Sequence, residues 1–427
     1  MERIIVVGAG ISGISVAKIL QTKADVRVLE AGKKGGLLRC ETHNGHLYHL
    51  VGGHVFNTRI PEVAQWFWAH FQKDEEFLFA TRNAAIWQAG TYIGYPIENF
   101  LYQLPATQAT QILAELLQIY KAQKPTPSFA EICTEYSDFE DFLKRNFGPT
   151  LFEIYFRPYN QKIWQMPLQQ IALPWLEGKL PMPQIPELIT ANIVRQSERD
   201  MVHAVFYYPR KGGSQFIIDR LAQGLQISES TPVRSIESAN GILIVNGTEH
   251  SNKLIYTGDI RKLPEILSST LAPILSPFLS DLANLRSNGT TNVLCTTDAT
   301  PHSWLYLPQE TVMPHRIIYT GNFSPANSAP HDRISCTVEF AMQITDAEIQ
   351  TQLRKLPGNL LPISIHRQPN SYVVQQPETR TLIAKIAEIL KPHGIYLLGR
   401  FAQWEYYNMD KCMEQALALA NELYPTK

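Results

Sequence analysis

The first thirty residues constrain this chain more than any other stretch. Arg3-Ile4-Ile5-Val6-Val7 is a short β-branched run, the pattern of a parallel strand buried on both faces. Gly8, Gly10 and Gly13 follow with G-x-G-x-x-G spacing, and Ile14 to Leu20 carries apolar residues at helical intervals. Val26-Arg27-Val28-Leu29 reads as a second strand, ending at Glu30. A strand, a glycine turn, a helix and a second strand closed by an acid is the dinucleotide-binding fingerprint. Gly8 permits the tight turn, Gly10 lets the backbone approach a pyrophosphate, and Gly13 lets helix and strand pack closely. The helix start at Ile11 and Ser12 offers N–H groups and a positive dipole end to phosphates. Glu30 can accept hydrogen bonds from a ribose diol.

The remainder is too long for one ordinary core. At 427 residues, two or three domains are expected. A net charge of −1 gives no reason to expect a nucleic-acid partner. The five cysteines (40, 133, 295, 336 and 412) are odd in number, widely spaced and without CxxC. That argues against a disulfide framework or a zinc site, and for a reducing, cytoplasmic compartment. His43, His46 and His49 are not completed into a metal set by a cysteine or carboxylate pattern. No apolar run approaches the roughly 18 residues of a membrane span, and a strand at residues 3–7 leaves no room for a leader.

Residues 99–165 show helical periodicity with breaks at Pro105, Pro125 and Pro127, a separate lobe. Residues 171–186 are proline-rich and read as extended linker. Gly212-Gly213 opens a helix over Ser214–Leu225, with short strands around 232–247 and 253–257. Residues 290–345 alternate as strands do (Asn292–Thr297, Trp304–Leu307, Arg316–Tyr319, Ser335–Phe340). Ile395–Leu398 is a late strand running into Gly399-Arg400, and Met409–Leu423 is a closing helix.

Past Glu30 come Ala31-Gly32-Lys33-Lys34-Gly35-Gly36-Leu37 and then Arg39. A Gly-Gly pair shortly after the ribose acid resembles FAD proteins of the amine-oxidase type. The fold class expected is α/β: a Rossmann-like FAD-binding domain with an inserted helical lobe and an antiparallel substrate-side sheet. The FAD-binding domain is discontinuous, over 1–75, 204–275 and 390–427; the lobe covers 97–186, and the sheet domain 76–96 and 276–389. The resemblance places FAD contacts at Gly8, Gly10, Ile11, Ser12, Gly13, Glu30, Ala31, Gly36 and Leu37. It adds Gly53, His54 and Val233, and finally Gly399, Arg400, Asn408 and Met409.

Along most of its length the chain further resembles UDP-galactopyranose mutases, with stretches most similar to the eukaryotic type. Gly52-Gly53-His54-Val55-Phe56 resembles the family's histidine loop beside the flavin. Arg82 and Tyr95-Pro96 match residues near the substrate, and Arg157-Pro158-Tyr159-Asn160-Gln161-Lys162-Ile163-Trp164 matches the uridine-side segment. Trp304-Leu305-Tyr306-Leu307-Pro308, His315-Arg316 and Asn322-Phe323-Ser324-Pro325 follow its substrate sheet; Gly399-Arg400 through Tyr406-Tyr407-Asn408-Met409-Asp410 follows its closing motif. The resemblance implies interconversion of UDP-galactopyranose and UDP-galactofuranose with no net redox change. Reduced flavin N5 attacks the anomeric carbon, UDP leaves, and the sugar is held as a covalent adduct before reclosing. It implies His54 and Arg316 at the catalytic centre, an unidentified reductant, and leaves a homo-oligomer open.

Such a ligand sets its own demands. A diphosphate needs cations, and Arg316 and Lys179 are the candidates. Uracil needs a flat surface, from Tyr159 or Trp164. Sugar hydroxyls need polar partners, such as Asn160, Tyr306 and Tyr406. Arg82, Tyr95, Trp304, Phe323, Tyr372 and Asn408 complete the implied substrate set. Plain readings stand beside these: core packing for Trp164 and Trp304, a carboxylate partner for Arg82, a surface ion pair for Arg316, a structural role for His54. The chain also departs from the family. Lys179 stands where an arginine is expected, Phe323 for a tyrosine, Asn408 for the bacterial aspartate and His203 for an asparagine. An FAD oxidoreductase of the amine-oxidase or protoporphyrinogen-oxidase type, or a nucleotide-sugar-binding flavoprotein without turnover, would share the scaffold.

Overall fold

The β-branched run at the start of the chain does become the centre of a sheet. In the computed structural model, which describes residues 1–122, 133–176, 184–195, 205–330 and 333–425, Arg3–Val7 is a strand with parallel neighbours on both sides. The sheet order is Ile395–Leu397, Lys253–Tyr256, Arg3–Val7, Asp25–Leu29, Gln226–Ser228, all parallel. Alternation sends Ile4 and Val6 to one face and Ile5 to the other, and each joins a different apolar cluster. One face is covered by Ile11–Leu20 and by Met409–Leu423, whose Met409, Cys412, Met413 and Ala416 are buried there.

A second sheet holds Leu361–Val373, Ser287–Asp298, Arg333–Phe340, Arg316–Ile318, Trp304–Tyr306, Ala84–Gln88 and Thr91–Gly94, in that order. It is antiparallel, as expected, with one parallel pair. Trp304–Tyr306 runs parallel to Ala84–Gln88 because the chain reaches these neighbours by a long excursion rather than a hairpin. Leu305, Ile317, Val338 and Val293 point to one face and build an apolar core with Ile349 and Leu353 of the helix Asp346–Leu353. The opposite face is polar.

Against the second sheet packs the helical lobe, including Ala106–Ala122, Phe139–Phe147 and Arg157–Trp164, around Phe139, Phe142, Phe152 and Trp175. Asp138 starts the second of these by accepting the Asp141 N–H at 2.9 Å, and Gly148, at φ +85°, ends it. The proline-rich stretch read as linker through residue 186 in fact leads into a helix, Ile185–Ile193. Pro186 sits in its first turn, where a missing N–H costs nothing. The helix after Gly212-Gly213 stops at Leu221 rather than Leu225, just before Gly224 at φ +81°. The region read as strand over 232–247 is a hairpin, Ile236–Ala239 with Ile242–Val245. Its turn is Asn240-Gly241, both at positive φ (+52° and +77°), the two-residue type I′ geometry. Among the described residues no helix is long and apolar enough to cross a membrane.

The glycine turn is sterically exact at Gly13. A Cβ there would lie 2.0 Å from the Gly8 carbonyl oxygen, which the sheet fixes in place. Gly13→Ala is therefore expected to destabilise the chain by about 3 kcal/mol, at the upper end of overpacking effects. Urea unfolding measures this, and a loss below about 0.5 kcal/mol would show that the turn relaxes.

Candidate functional site

Sheet register assembles the polar face residue by residue. Ile86, Tyr306, Arg316, Glu339, Asn292 and His366 are successive directly opposed partners, so they form one row on one face. The next row on that face runs Ala84, Trp304, Ile318, Thr337 and Leu294. Gly52-Gly53 lies against these rows. A Cβ on Gly53 would come within 2.6 Å of Ile318 Cγ2, so only glycine lets the loop approach so closely.

Glu339 is the hub of the row, and the sequence reading missed it. Its side chain is 1% exposed. Its Oε1 accepts from Arg316 Nη2 at 2.8 Å, Arg316 Nε at 3.2 Å and Tyr372 Oη at 2.5 Å, and lies 3.0 Å from His315 Nε2. Burial alone would raise its pKa, but Arg316, His315 and Tyr372 hold the carboxylate well below its usual range. In turn, Arg316 stays protonated despite its burial because Glu339 faces it. The clue in the sequence was Ser335-x-Thr337-x-Glu339: alternate positions of a central strand that are all polar mark a face used for something other than packing.

The histidine loop meets this row from the other side. His49 is fully buried, with Nε2 2.7 Å from Tyr208 Oη and Nδ1 3.2 Å from Ser214 Oγ. Its Nδ1 also receives the His54 backbone N–H at 3.3 Å. His49 thus orients His54, a role the sequence gave no sign of. Burial pulls His49 down to about 3. His54 falls to about 4, from burial first and then from Arg400 and Arg316. Both imidazoles are neutral at physiological pH.

A set of tyrosines lines the side toward the lobe. Tyr95 and Tyr306 are 4.6 Å apart, Tyr306 meets Tyr159 edge-on at 5.6 Å, and Tyr159 stacks on Tyr155 at 5.6 Å. Arg82 sits 5.0 Å over the Tyr95 ring. Lys162, another residue not anticipated, donates to the Leu307 and Gln309 carbonyls and ties Tyr159's helix to the sheet. Tyr372 and Tyr406 lie nearly parallel at 5.7 Å, with Arg400 4.8 Å above Tyr406. Arg400 is held by the Tyr407 and Ser371 carbonyls.

Several of the expected ligand contacts are closely packed by other side chains. Trp164 is 4% exposed, sits edge-on to Trp175 at 4.9 Å and lies behind Tyr406. Trp304 and Phe323 are buried 4.6 Å apart behind Gly53. Asn160 is buried and spends its amide on the Phe156 carbonyl. Lys179 and His203 lie outside the described residues.

The nucleotide-side residues converge as well. The first helix begins at Gly10 with no side-chain cap and no acid in its first turn, and its first intrahelical bond is Ile14 N–H to the Gly10 carbonyl. A Cβ on Gly36 would lie 3.1 Å from Gly10 Cα, and one on Gly399 2.4 Å from Ser12 Oγ. These bare backbones lie side by side with Ile11 and Leu37 at the turn. Glu30 accepts from the Ala9 and Gly32 N–H groups at 2.7 and 2.8 Å, which fixes its carboxylate at the strand end beside Ala31. Thr231 N–H binds the Glu30 carbonyl, bringing Val233 to the same edge. The last helix starts at Met409, with Asn408 exposed at its uncapped N-terminus. An uncapped helix start, closely approached glycines and a fixed acid fit an adenine dinucleotide.

Comparison with known proteins agrees with this architecture. Residues 6–71 match the family described as NAD(P)-binding Rossmann-like domain. Among solved structures the chain is similar to a reduced UDP-galactopyranose mutase at 21% identity, over 99% of this chain and 94% of that one, with a TM-score of 0.85. It is similar to a protein described as a protoporphyrinogen oxidase from Exiguobacterium sp. 255-15 at 16% identity, over 99% and 98%, with a TM-score of 0.71. Putrescine oxidase bound to putrescine matches at 14% identity, over 100% and 99%, with a TM-score of 0.65. The likeness establishes the fold, which this chain shares with those structures over nearly its whole length.

The neutral burial of His49 has a pH signature. Its folded pKa, about 3, lies below the ordinary 6.5, so between these values the unfolded chain binds a proton that the folded chain refuses. The stability contributed is whole above pH 6.5 and is lost as pH falls toward 3. His49→Gln is expected to flatten the slope of unfolding free energy against pH by about 1.4 kcal/mol per unit between pH 6 and 4. Urea titrations at four pH values check it; an unchanged slope would mean His49 titrates normally.

Proposed function

We propose that this chain is an FAD enzyme that interconverts UDP-galactopyranose and UDP-galactofuranose without net redox change. The observation that carries this reading is the row Tyr306–Arg316–Glu339, a charged and phenolic strip on an otherwise buried sheet face next to the histidine loop. Burying such groups is costly even when they pair with one another, as Arg316 and Glu339 do, and a polar ligand is a use for a strip so maintained. An oxidase of an apolar substrate has no need of the strip. The fold is equally that of oxidases, however, so an amine-oxidase-type activity is the second reading, favoured by the likeness to putrescine oxidase. A flavoprotein that binds nucleotide sugar without turnover is the third.

FAD would be held by the turn at Gly8–Gly13, by Glu30, and by the backbones at Gly36 and Gly399; in its reduced form it supplies a nucleophilic nitrogen. Its reduction calls for an external reductant. The chain's own residues do the rest. Arg316 offers the leaving diphosphate its outer guanidinium edge, since Nε and Nη2 are engaged by Glu339 and Tyr372. The phenols of Tyr372 and Tyr406 lie beside that edge. Tyr159, backed by Tyr155, presents a flat face to uracil, and Arg82 over Tyr95 adds charge at the same end. His54, neutral and oriented by His49, fills the floor as a contact group rather than a proton carrier. We place the protein in the cytoplasm as a protein without a membrane or nucleic-acid partner.

The direct test is to incubate the dithionite-reduced protein with UDP-galactofuranose and follow UDP-galactopyranose by chromatography. UDP binding without product would support the third reading; oxygen consumption with an amine would support the second. Arg316→Lys is a cleaner site variant than Arg316→Ala, which would leave Glu339 buried and uncompensated. Lysine keeps the charge and loses the planar fork. The variant is expected to bind UDP about ten- to a hundredfold more weakly, about 1.5–3 kcal/mol, with its FAD content unchanged. Calorimetry against UDP decides, and equal affinity removes Arg316 from the site.

A further inference from the structure

Glu339 carries an oxygen that nothing in the structure satisfies. Every donor around the carboxylate converges on Oε1, while Oε2 is buried and without a hydrogen-bond partner among the described residues. His54 Nε2 is in the same condition. A native buried polar atom left alone calls for an explanation, and a bound group is one. The two atoms share a target. A side chain built on Gly52 would place its Cβ 3.4 Å from Arg316 Nη2, 3.6 Å from His54 Nε2 and 3.7 Å from Glu339 Oε2. Gly52 is held at φ +61° and leaves that position open.

We propose that Gly52 keeps open a one-oxygen notch, bounded by Glu339 Oε2, His54 Nε2 and Arg316 Nη2, that receives a hydroxyl group of the ligand's sugar. The chemical class follows from the charges. A cation gains little, because Glu339 is already matched by Arg316. An anion would face Glu339 Oε2 directly. A neutral hydroxyl donates its proton to Oε2 and brings no further charge beside the Arg316–Glu339 pair. The notch lies beyond Arg316 on the side away from Tyr306 and Tyr159, so it takes the sugar rather than the base. Asn292, opposite Glu339 in the sheet, adds an unpartnered Oδ1 at the same depth. This assignment rests on the nucleotide-sugar reading and deepens it by naming what distinguishes the sugar from bare UDP.

The test compares UDP and UDP-galactose as calorimetric probes of the FAD-loaded protein. Gly52→Ala places one methyl in the notch at ordinary contact distances, at a left-handed backbone position that alanine adopts only with strain. It is expected to lower affinity for UDP-galactose about tenfold while leaving that for UDP within about twofold, the loss of one hydrogen bond to a charged group. Should Gly52→Ala not fold, the unaltered protein is titrated with UDP-sugars each lacking one sugar hydroxyl; one of them is expected to bind about tenfold more weakly than UDP-galactose, and equal affinity for all of them overturns the assignment. Equal loss for both probes, or loss for neither, overturns the assignment. Loss of FAD loading would give the notch to the cofactor and overturns it too. Failure of the wild-type chain to bind either probe is a separate result; it ends the nucleotide-sugar reading and this inference with it.

Discussion

The Arg316–Glu339 pair makes the rest of the site possible. A sheet that is covered on both faces normally fills both with apolar side chains. Here one face carries a carboxylate, an amide and hydroxyls at full burial, with a partly buried guanidinium beside them. A carboxylate taken out of water costs several kcal/mol unless it is paired and hydrogen-bonded. Direct cross-strand opposition of Arg316 and Glu339 supplies the pairing, and His315 and Tyr372 supply the hydrogen bonds. Register is therefore part of the chemistry. A one-residue slip of Arg333–Phe340 would turn Glu339 into the apolar core on the opposite face and leave Arg316 beside a valine.

Short glycine contacts bring backbones close at two places in the site. Gly52-Gly53 presses the histidine loop onto Ile318 and Trp304, and Gly399 presses the late turn onto Ser12. Each removes a side chain where two backbones, or a backbone and a ligand, have to meet. Arg400 continues the second contact by reaching the Ser371 carbonyl in the polar sheet. The nucleotide turn and the polar row thus bear on one cleft, although they lie more than 280 residues apart in sequence.

What the sequence disclosed, and what it did not, follows from how local each cause is. The opening strand, turn and helix are local, and the closing helix Met409–Leu423 matches its pattern from end to end. The Asn240-Gly241 hairpin and Pro186 in the first turn of a helix were equally local signals; proline and glycine simply have more than one positional meaning. The site was legible only in outline. Arg316 and His54 stood out by their neighbours, but their partners are distant: Glu339 is 23 residues from Arg316, and Tyr208 is 159 from His49. Aromatic residues are ambiguous in another way. Trp164, Trp304 and Phe323 look alike in sequence whether they face a ligand or a core, and only packing separates the two.

The pairing of Arg316 also changes what a diphosphate would meet. Read from sequence, Arg316 was a cation awaiting an anion. In the folded chain its charge is balanced by Glu339, so the row as a whole is close to neutral when His315 and His54 are neutral. Arg316 then acts by direction, offering a rigid N–H edge whose partner atoms are already fixed, more than by net charge. The positive potential that draws a diphosphate in must come from around it, and Arg82 and Arg400 stand at the two ends of the tyrosine set. On the mutase reading proposed above, a neutral, pre-oriented centre with cations at its margins would suit a ligand that is released and recaptured in the same turnover.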